Sequence, residues 1–221
     1  MQSDERNTTR LAGVLLIVGP LLLVCAALVA AAGIGTTSGR WYDNRLEGVL
    51  MAAGFGLQLI GLLELSRRIG ASRPILGVLA ALASAIGTIG AIFPVAARIT
   101  GAAGLEMGLT VEQLDRIFGA SDDGTNPSMA VLPFLLIFFL NYLVLLPLSL
   151  WRSKTGPRFA PLLLVIGSVL FIVGQSAFEV VWPAYIGGVT AWFLALGGQG
   201  LALLRELGSK PRIPMGVVSE G

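Results

Sequence analysis

Long apolar stretches separated by short polar segments dominate this chain. A helix needs about 20 residues to cross roughly 30 Å of hydrocarbon. None of the apolar stretches alternates apolar and polar positions with a period of two, as the strands of a membrane barrel do. The pattern therefore predicts an all-α membrane protein: a bundle of six transmembrane helices that forms one domain over residues 1–221. The predicted spans are residues 11–34, 48–65, 74–97, 129–150, 159–178 and 184–204.

Composition supports the membrane assignment. Hydrophobic residues make up 55% of the 221 residues and charged residues only 13%, and the mean hydropathy is +0.82. Soluble domains carry about 25% charged residues. A chain of this size has too little polar surface to cover so much apolar material in water. An ordinary soluble domain is therefore excluded.

The basic residues orient the bundle, because lysine and arginine are retained on the cytoplasmic side of short loops. With the N-terminus inside, the outer segments hold only Arg40, Arg45, Arg98 and Arg116 of the 15 basic residues. An even number of spans then predicts that both termini are cytoplasmic. The inner segments hold the other basic residues: Arg6, Arg10, Arg67, Arg68, Arg73, Arg152, Lys154, Arg158, Arg205, Lys210 and Arg212.

We expect a multi-pass protein of a bacterial plasma membrane, since arginine far outnumbers lysine and alanine, glycine and leucine are abundant. The net charge of +2 reflects topology, and no basic stripe indicates nucleic-acid binding. The first apolar stretch follows two arginines and ends at Ala30-Ala31-Ala32, which also resembles a secretory signal. Its length favours retention as a span.

Several chemistries are excluded by what the sequence lacks. There is no histidine, so catalysis or metal and haem ligation by imidazole is excluded. The single cysteine, Cys25, lies in an apolar run and cannot form an intramolecular disulfide. The two lysines, Lys154 and Lys210, lie in connecting segments, where neither can hold a chromophore inside the membrane. We therefore expect no catalytic residues, metal or cofactor.

One connection, between the third and fourth spans, is long enough to have structure of its own. Thr110 can cap a short helix with Gln113 three residues later, and Gly119 can end it. The apolar residues between them share one face: Val111, Leu114, Ile117 and Phe118. This pattern predicts a short extracytoplasmic amphipathic helix that rests on the membrane surface or covers the end of the bundle.

Small residues at a spacing of four predict close helix packing in the third and sixth spans. The third span has three such lines, which places it at the centre of the bundle in this prediction. Two of the lines are Gly77-Ala81-Ala85 and Ala83-Gly87-Ala91. The sixth span carries Gly187, Gly188, Gly197, Gly198 and Gly200.

Ionisable residues inside spans are functional candidates, because an unpaired charge in hydrocarbon is costly. Glu64 precedes Arg67 and Arg68 by three and four residues, and this spacing predicts a local ion pair. Arg98 and Glu179 close the outer ends of the third and fifth spans at similar depth. They predict an ion pair between helices, with a structural role favoured over ligand binding.

Polar and aromatic residues near the outer ends of the spans suggest a cup open to the exterior. Tryptophan and tyrosine at this depth also serve as interfacial anchors. In the middle of the spans, Gln58, Asn141 and Tyr142 predict hydrogen bonds between helices or contacts to a small polar ligand. The candidate ligand-binding residues of the cup are Gln175, Glu179, Trp182, Tyr185, Trp41, Asp43 and Arg98.

Two junctions carry a resemblance to a known group of proteins. Arg10-Leu11-Ala12-Gly13 opens the first span. Trp151-Arg152-Ser153, Gly156-Pro157-Arg158 and Gly167 lead into the fifth. These residues resemble the bacterial six-span membrane proteins classified as a domain of unknown function. The resemblance implies a six-helix fold, and it transfers no functional residue because that family has no established activity.

The predicted function is a non-enzymatic accessory or structural subunit that packs against other membrane proteins or against itself, surrounded by membrane lipids. The alternative is a small-molecule binding or transport protein that uses the outer cup. A lipid-modifying enzyme is the third candidate. It ranks last because the sequence contains neither a Gly-x-Ser-x-Gly motif nor a phosphate-binding glycine loop.

Overall fold

The structure, a computed structural model, describes residues 2–36, 42–118, 131–176 and 181–209. All regular structure in these ranges is helical, which confirms the predicted all-α class for them. The helices are α1 (Gln2–Ala31), α2 (Arg45–Ser72), α3 (Pro74–Glu106), α4 (Val111–Phe118), α5 (Leu132–Leu140), α6 (Leu146–Ser153), α7 (Ala160–Ser176) and α8 (Trp182–Ser209), with a π-helical turn at Asn141–Leu145 between α5 and α6.

Five helical stretches are long and apolar enough to cross a membrane: Glu5–Ala31, Arg45–Ser72, Pro74–Glu106, Leu132–Ser153 and Trp182–Gly208. The fourth of these comprises α5, the π-helical turn and α6. Helix α7 coincides with the predicted fifth span, and at 17 residues it is shorter than the others. The chain is therefore a helical protein with several membrane-span candidates.

The helices form a closed ring of neighbours. Helix α2 packs between α1 and α3, α1 packs against α8, and α8 packs against α7. The stretch from α5 to α6 contacts both α3 and α7 and so closes the ring. Its centre is filled by aromatic rings. The Trp192 ring stacks on Phe171 with centroids 4.7 Å apart, and Tyr142 lies 4.9 Å from Trp192.

The predicted central position of α3 is wrong. Its principal neighbours are α2 and the stretch from α5 to α6, and its outward face is exposed at Val78, Leu82, Ile89 and Phe93. Small residues allow α3 to approach these two neighbours closely, but bulky residues cover its other side. A line of small residues thus predicts close contact on one face of a helix, but it does not predict how many neighbours the helix has.

Glycines set the closest helix contacts, as the small-residue pattern of the sixth span predicted. A Cβ atom on Gly200 would lie within 2.4 Å of the carbonyl oxygen of Gly13, so α8 and α1 touch backbone to backbone. At the interface of α7 and α8, a Cβ atom on either Gly167 or Gly188 would lie 2.9 Å from the other's carbonyl oxygen. Any side chain at these positions would force the helices apart.

A proline explains the π-helical turn in the fourth span candidate. Pro147 lacks an N–H, so it cannot donate the helical hydrogen bond to the carbonyl group of residue 143. The helix widens just before it, and the N–H of Leu146 donates to the carbonyl oxygen of Asn141, five residues earlier. Such turns change the direction of side chains along a helix. This turn contains Asn141 and Tyr142, two of the predicted polar residues.

Ionic contacts join three helix ends at one end of the bundle. Arg67 pairs with Glu5 of α1 at 3.3 Å, and Arg68 pairs with Glu206 of α8. Buried Glu64 lies 2.8 Å from Arg67 and 3.3 Å from Arg68, which confirms the predicted local pair. The start of α1 and the last turns of α2 and α8 therefore lie at the same end.

Candidate functional site

A buried polar cluster is built on the first turn of α2. The side chain of Asn44 accepts a hydrogen bond from the backbone N–H of Glu47 at 3.0 Å, so Asn44 caps the helix. An N-terminal cap of this kind fixes where a helix begins. Because α2 starts at Arg45, three residues before the predicted span, Glu47 lies within the helix and points into the bundle.

A buried ion pair forms the centre of this cluster. The Nε atom of Arg98 on α3 lies 3.2 Å from Oε2 of Glu47, and the two side chains are only 8% and 7% exposed. The Tyr185 hydroxyl of α8 donates to Oε1 of Glu47 at 3.3 Å. A guanidinium Nη1 atom of Arg98 also donates to the carbonyl oxygen of Pro94 at 3.1 Å. The cluster therefore links α2, α3 and α8 with its charges balanced.

The cluster includes only part of the predicted cup. Arg98 and Tyr185 meet at Glu47, and Trp182 lies beside Tyr185 with ring centroids 6.1 Å apart. Asp43 is buried and accepts a hydrogen bond from the Thr36 hydroxyl. The remaining candidates, Trp41, Glu179 and the Gln175 side chain, lie outside the described residues. The Arg98–Glu179 pair therefore stays a prediction, while the observed partner of Arg98 is Glu47.

Sequence reasoning missed Glu47, although a signal for it exists. Asparagine three residues before glutamate is the pattern of a helix N-terminal cap. It places Asn44 outside the helix and Glu47 in its first turn. The span prediction relies on hydropathy, which rises only at Gly48, so the predicted span of residues 48–65 leaves Glu47 out. Capping chemistry is more informative than hydropathy about where a span begins.

Helix α4 covers part of the end of the bundle where α2 begins and α3 ends. Thr110 and Gln113 exchange hydrogen bonds of 2.8 and 3.2 Å, which confirms the predicted capping of α4. The Tyr42 hydroxyl donates to Oδ1 of Asp115 at 2.7 Å. Leu114 is buried beside Gly104 of α3. Helix α4 thus packs against the rest of the protein through contacts to α3 and to Tyr42. It also has an apolar face.

A cavity of about 230 Å³ lies between α2, α3, α5 and α7, directly below the ion pair. Its walls are apolar and aromatic, and Arg98 supplies its only charged group among the described residues. Sites for drug-sized ligands span about 300–1,000 Å³, so this space suits a single apolar chain or a small apolar group. The lining residues are Met51, Phe55, Ala91, Pro94, Arg98, Leu135, Phe138, Phe139 and Phe171.

The three predicted polar residues in the middle of the spans take part in two hydrogen bonds between helices. The Gln58 side-chain amide donates to the Tyr142 hydroxyl at 2.8 Å, and the Asn141 amide donates to the Ser84 hydroxyl at 3.1 Å. These bonds confirm interhelical hydrogen bonding. Three buried oxygens have no hydrogen-bond partner in the described part of the chain: Oε1 of Gln58, Oδ1 of Asn141 and Oγ1 of Thr88.

The chemistry available to this arrangement is limited. Across residues 2–36, 42–118, 131–176 and 181–209, no group of three or more histidine, cysteine, aspartate or glutamate residues is placed to hold a metal ion. The buried carboxylate of Glu47 contacts the Arg98 guanidinium and the Tyr185 phenol. The arrangement holds helices together, and its lateral cavity has room for an apolar group.

Comparison with protein-family models, with curated proteins and with solved structures finds no match in any of the three. The resemblance to the bacterial six-span proteins therefore stays a prediction that rests on the two sequence junctions described above.

Proposed function

We propose that the chain is a six-span plasma-membrane protein with both termini in the cytoplasm. The five long apolar helices and the apolar α7 support the span count. The ion pairs that join α1, α2 and α8 place the first helix's start and the last helix's end together, as an even count requires. The arginine-rich segments then face the cytoplasm.

Reporter fusions test this topology. A cytoplasmic reporter fused after Gly208 and an extracytoplasmic reporter inserted at Gly108, in the turn before α4, should both be active. The exchanged reporters serve as the matched control and should be inactive. Activity of both exchanged reporters would refute the orientation. If the reporters place Gly108 and Gly208 on the same side of the membrane, the six-span count is refuted.

We propose further that the protein is a non-enzymatic accessory or structural subunit of the membrane. The observation that carries this proposal is the buried contact between Glu47, Arg98 and Tyr185. Glu47 and Arg98 balance each other's charge, so a charged ligand would have to break the ion pair in order to bind. Such an arrangement favours a structural role in the bundle over the binding and release of a solute.

The outward face of α3 is the surface we assign to a partner helix from another subunit or a second copy. Val78, Leu82, Ile89 and Phe93 are exposed on it. Side chains of this kind can pack by van der Waals contact against a partner helix in a membrane.

Photo-crosslinking in native membranes tests the accessory role. A photoreactive residue at Ile89 should give a discrete protein adduct. The same residue at Leu140 on α5, whose side chain is similarly exposed, should give lipid adducts only. If Ile89 also reacts only with lipid, or if both positions give the same protein adducts, the proposal of an α3 partner fails.

The cavity below Arg98 favours a second candidate function, the binding of a small amphipathic molecule. Its walls are apolar, and Glu47 already neutralises Arg98. The matching ligand is an apolar chain with an uncharged polar end. This differs from the predicted cup, which would take a polar solute from outside.

Filling the cavity tests this second candidate. In the purified protein, Ala91→Leu should remove a co-purifying apolar molecule detected by native mass spectrometry, because Ala91 is a buried lining residue. Ala96→Leu on the exposed face of α3 is the matched control and should leave binding intact. Equal amounts of bound molecule in the two variants would exclude the cavity as its site.

A further inference from the structure

A second cavity lies at the opposite end of the bundle from the ion pair, in the connection between α6 and α7. Its volume is about 420 Å³. Two of its lining residues, Lys154 and Arg158, are cationic, and none is acidic. The lining consists of Leu150, Trp151, Lys154, Thr155, Gly156, Pro157, Arg158 and Pro161.

The shape of this connection is fixed by the neighbouring helix. The buried side-chain amide of Gln199 on α8 donates to the carbonyl oxygen of Thr155 at 3.2 Å. Lys154 ends α6 in a left-handed conformation with φ of 55°, and Gly156 has φ of 74°. A Cβ atom on Gly156 would lie within 1.9 Å of the Gln199 side chain. The concave form is thus built before any ligand binds, which lowers the entropy lost on binding.

Exposed apolar residues lie at the cavity or close to its lining residues in the sequence. Trp151, which lines it, is 73% exposed, and Leu148, Phe159 and Leu162 nearby are exposed as well. Exposed tryptophan marks the level where helices leave the hydrocarbon. A molecule at this position would therefore have acyl chains along these apolar side chains and its polar end beside Lys154.

We propose that this cavity binds the headgroup of an anionic phospholipid. The guanidinium of Arg158 can donate two parallel hydrogen bonds to phosphate oxygens, and the ammonium of Lys154 supplies a compact second charge. Basic cavities between transmembrane helices bind anionic headgroups in this way. The site lies apart from the Glu47–Arg98 cluster and does not depend on the accessory role.

Lipid titration followed by native mass spectrometry tests this proposal on the full chain purified in detergent. Phosphatidylglycerol should bind more tightly than phosphatidylcholine. In the Lys154→Gln/Arg158→Gln variant the affinity for phosphatidylglycerol should fall about 25-fold, since each basic residue near an anionic surface contributes about fivefold. The charge-keeping exchange Lys154→Arg/Arg158→Lys should give an affinity between those of the unaltered chain and of the glutamine variant, because it keeps both charges but displaces the guanidinium.

The matched control is Arg152→Gln/Arg205→Gln, which removes the same charge from exposed residues that do not line the cavity. It should lower the affinity less than about threefold. An equal loss in both double variants, or equal binding of the two lipids, would overturn the site. Displacement of phosphatidylglycerol by millimolar inorganic phosphate would overturn the assignment to a lipid and identify a soluble phosphate site instead.

Discussion

The buried charges of Glu47 and Arg98 should be coupled far more strongly than the charges of an exposed ion pair. Their atoms lie 3.2 Å apart and both side chains are less than a tenth exposed. At an effective dielectric constant of about 20, two unit charges about 4 Å apart attract by about 4 kcal/mol. Removing one partner leaves the other charge buried alone, which costs about 3–5 kcal/mol.

A double-mutant cycle measures this coupling. Glu47→Gln and Arg98→Met should each lower the free energy of unfolding by about 3 kcal/mol or more, as measured by denaturant titration in mixed micelles. The double variant should lose at least about 2 kcal/mol less than the sum of the single losses, because it leaves no unpaired charge.

The exposed pair of Arg45 and Glu106 is the matched control. Its atoms lie 3.0 Å apart at the same end of the bundle, with side chains 56% and 62% exposed. The same cycle on this pair should give a coupling below about 1 kcal/mol. If the two cycles give equal coupling energies, burial does not govern the strength of the Glu47–Arg98 pair, and the structural role assigned to it is refuted.

Four further substitutions should change the free energy of unfolding by different amounts in the same titration. Gly200→Ala should destabilise the protein by about 1–3 kcal/mol, because the new Cβ atom would overlap the Gly13 carbonyl oxygen. Gly56→Ala should be neutral or stabilising by up to about 1 kcal/mol, because its Cβ atom would meet nothing within 4 Å. A larger loss of stability in Gly56→Ala than in Gly200→Ala would contradict the packing. Thr88→Val should be neutral or stabilising, because the Thr88 hydroxyl is buried without a partner. A loss above about 1 kcal/mol there would mean that the hydroxyl binds something. Tyr142→Phe should cost about 1–2 kcal/mol, since it leaves a buried amide unpaired, and an unchanged stability would rule out a net contribution from that bond.

The sequence predicted those features that depend on neighbours along the chain. Helix α4 follows from Thr110, Gln113 and the apolar face between them, and the pairing of Glu64 follows from arginines three and four residues later. These contacts form within one or two helical turns, so the rise and rotation of a helix are enough to predict them.

The polar residues in the middle of the spans were predicted only as a group. Hydrogen bonding between helices was expected of Gln58 and Asn141, because an unpaired polar group in a membrane is costly. Which residues would pair was not predictable. The choice of Tyr142 and Ser84 as partners depends on the π-helical turn, which changes the direction of two consecutive side chains.

The sequence alone determined that the chain is a helical membrane protein, because hydropathy and span length are set by lipid thickness and need no knowledge of neighbours. Only the tertiary structure decided that Arg98 pairs with Glu47, that α3 is a member of the ring and not its centre, and that the two cavities described above form. Each of these depends on which helix faces which, and residues more than 50 positions apart meet only after the helices have packed. Local rules fix the helices, and the packing of their faces fixes the sites.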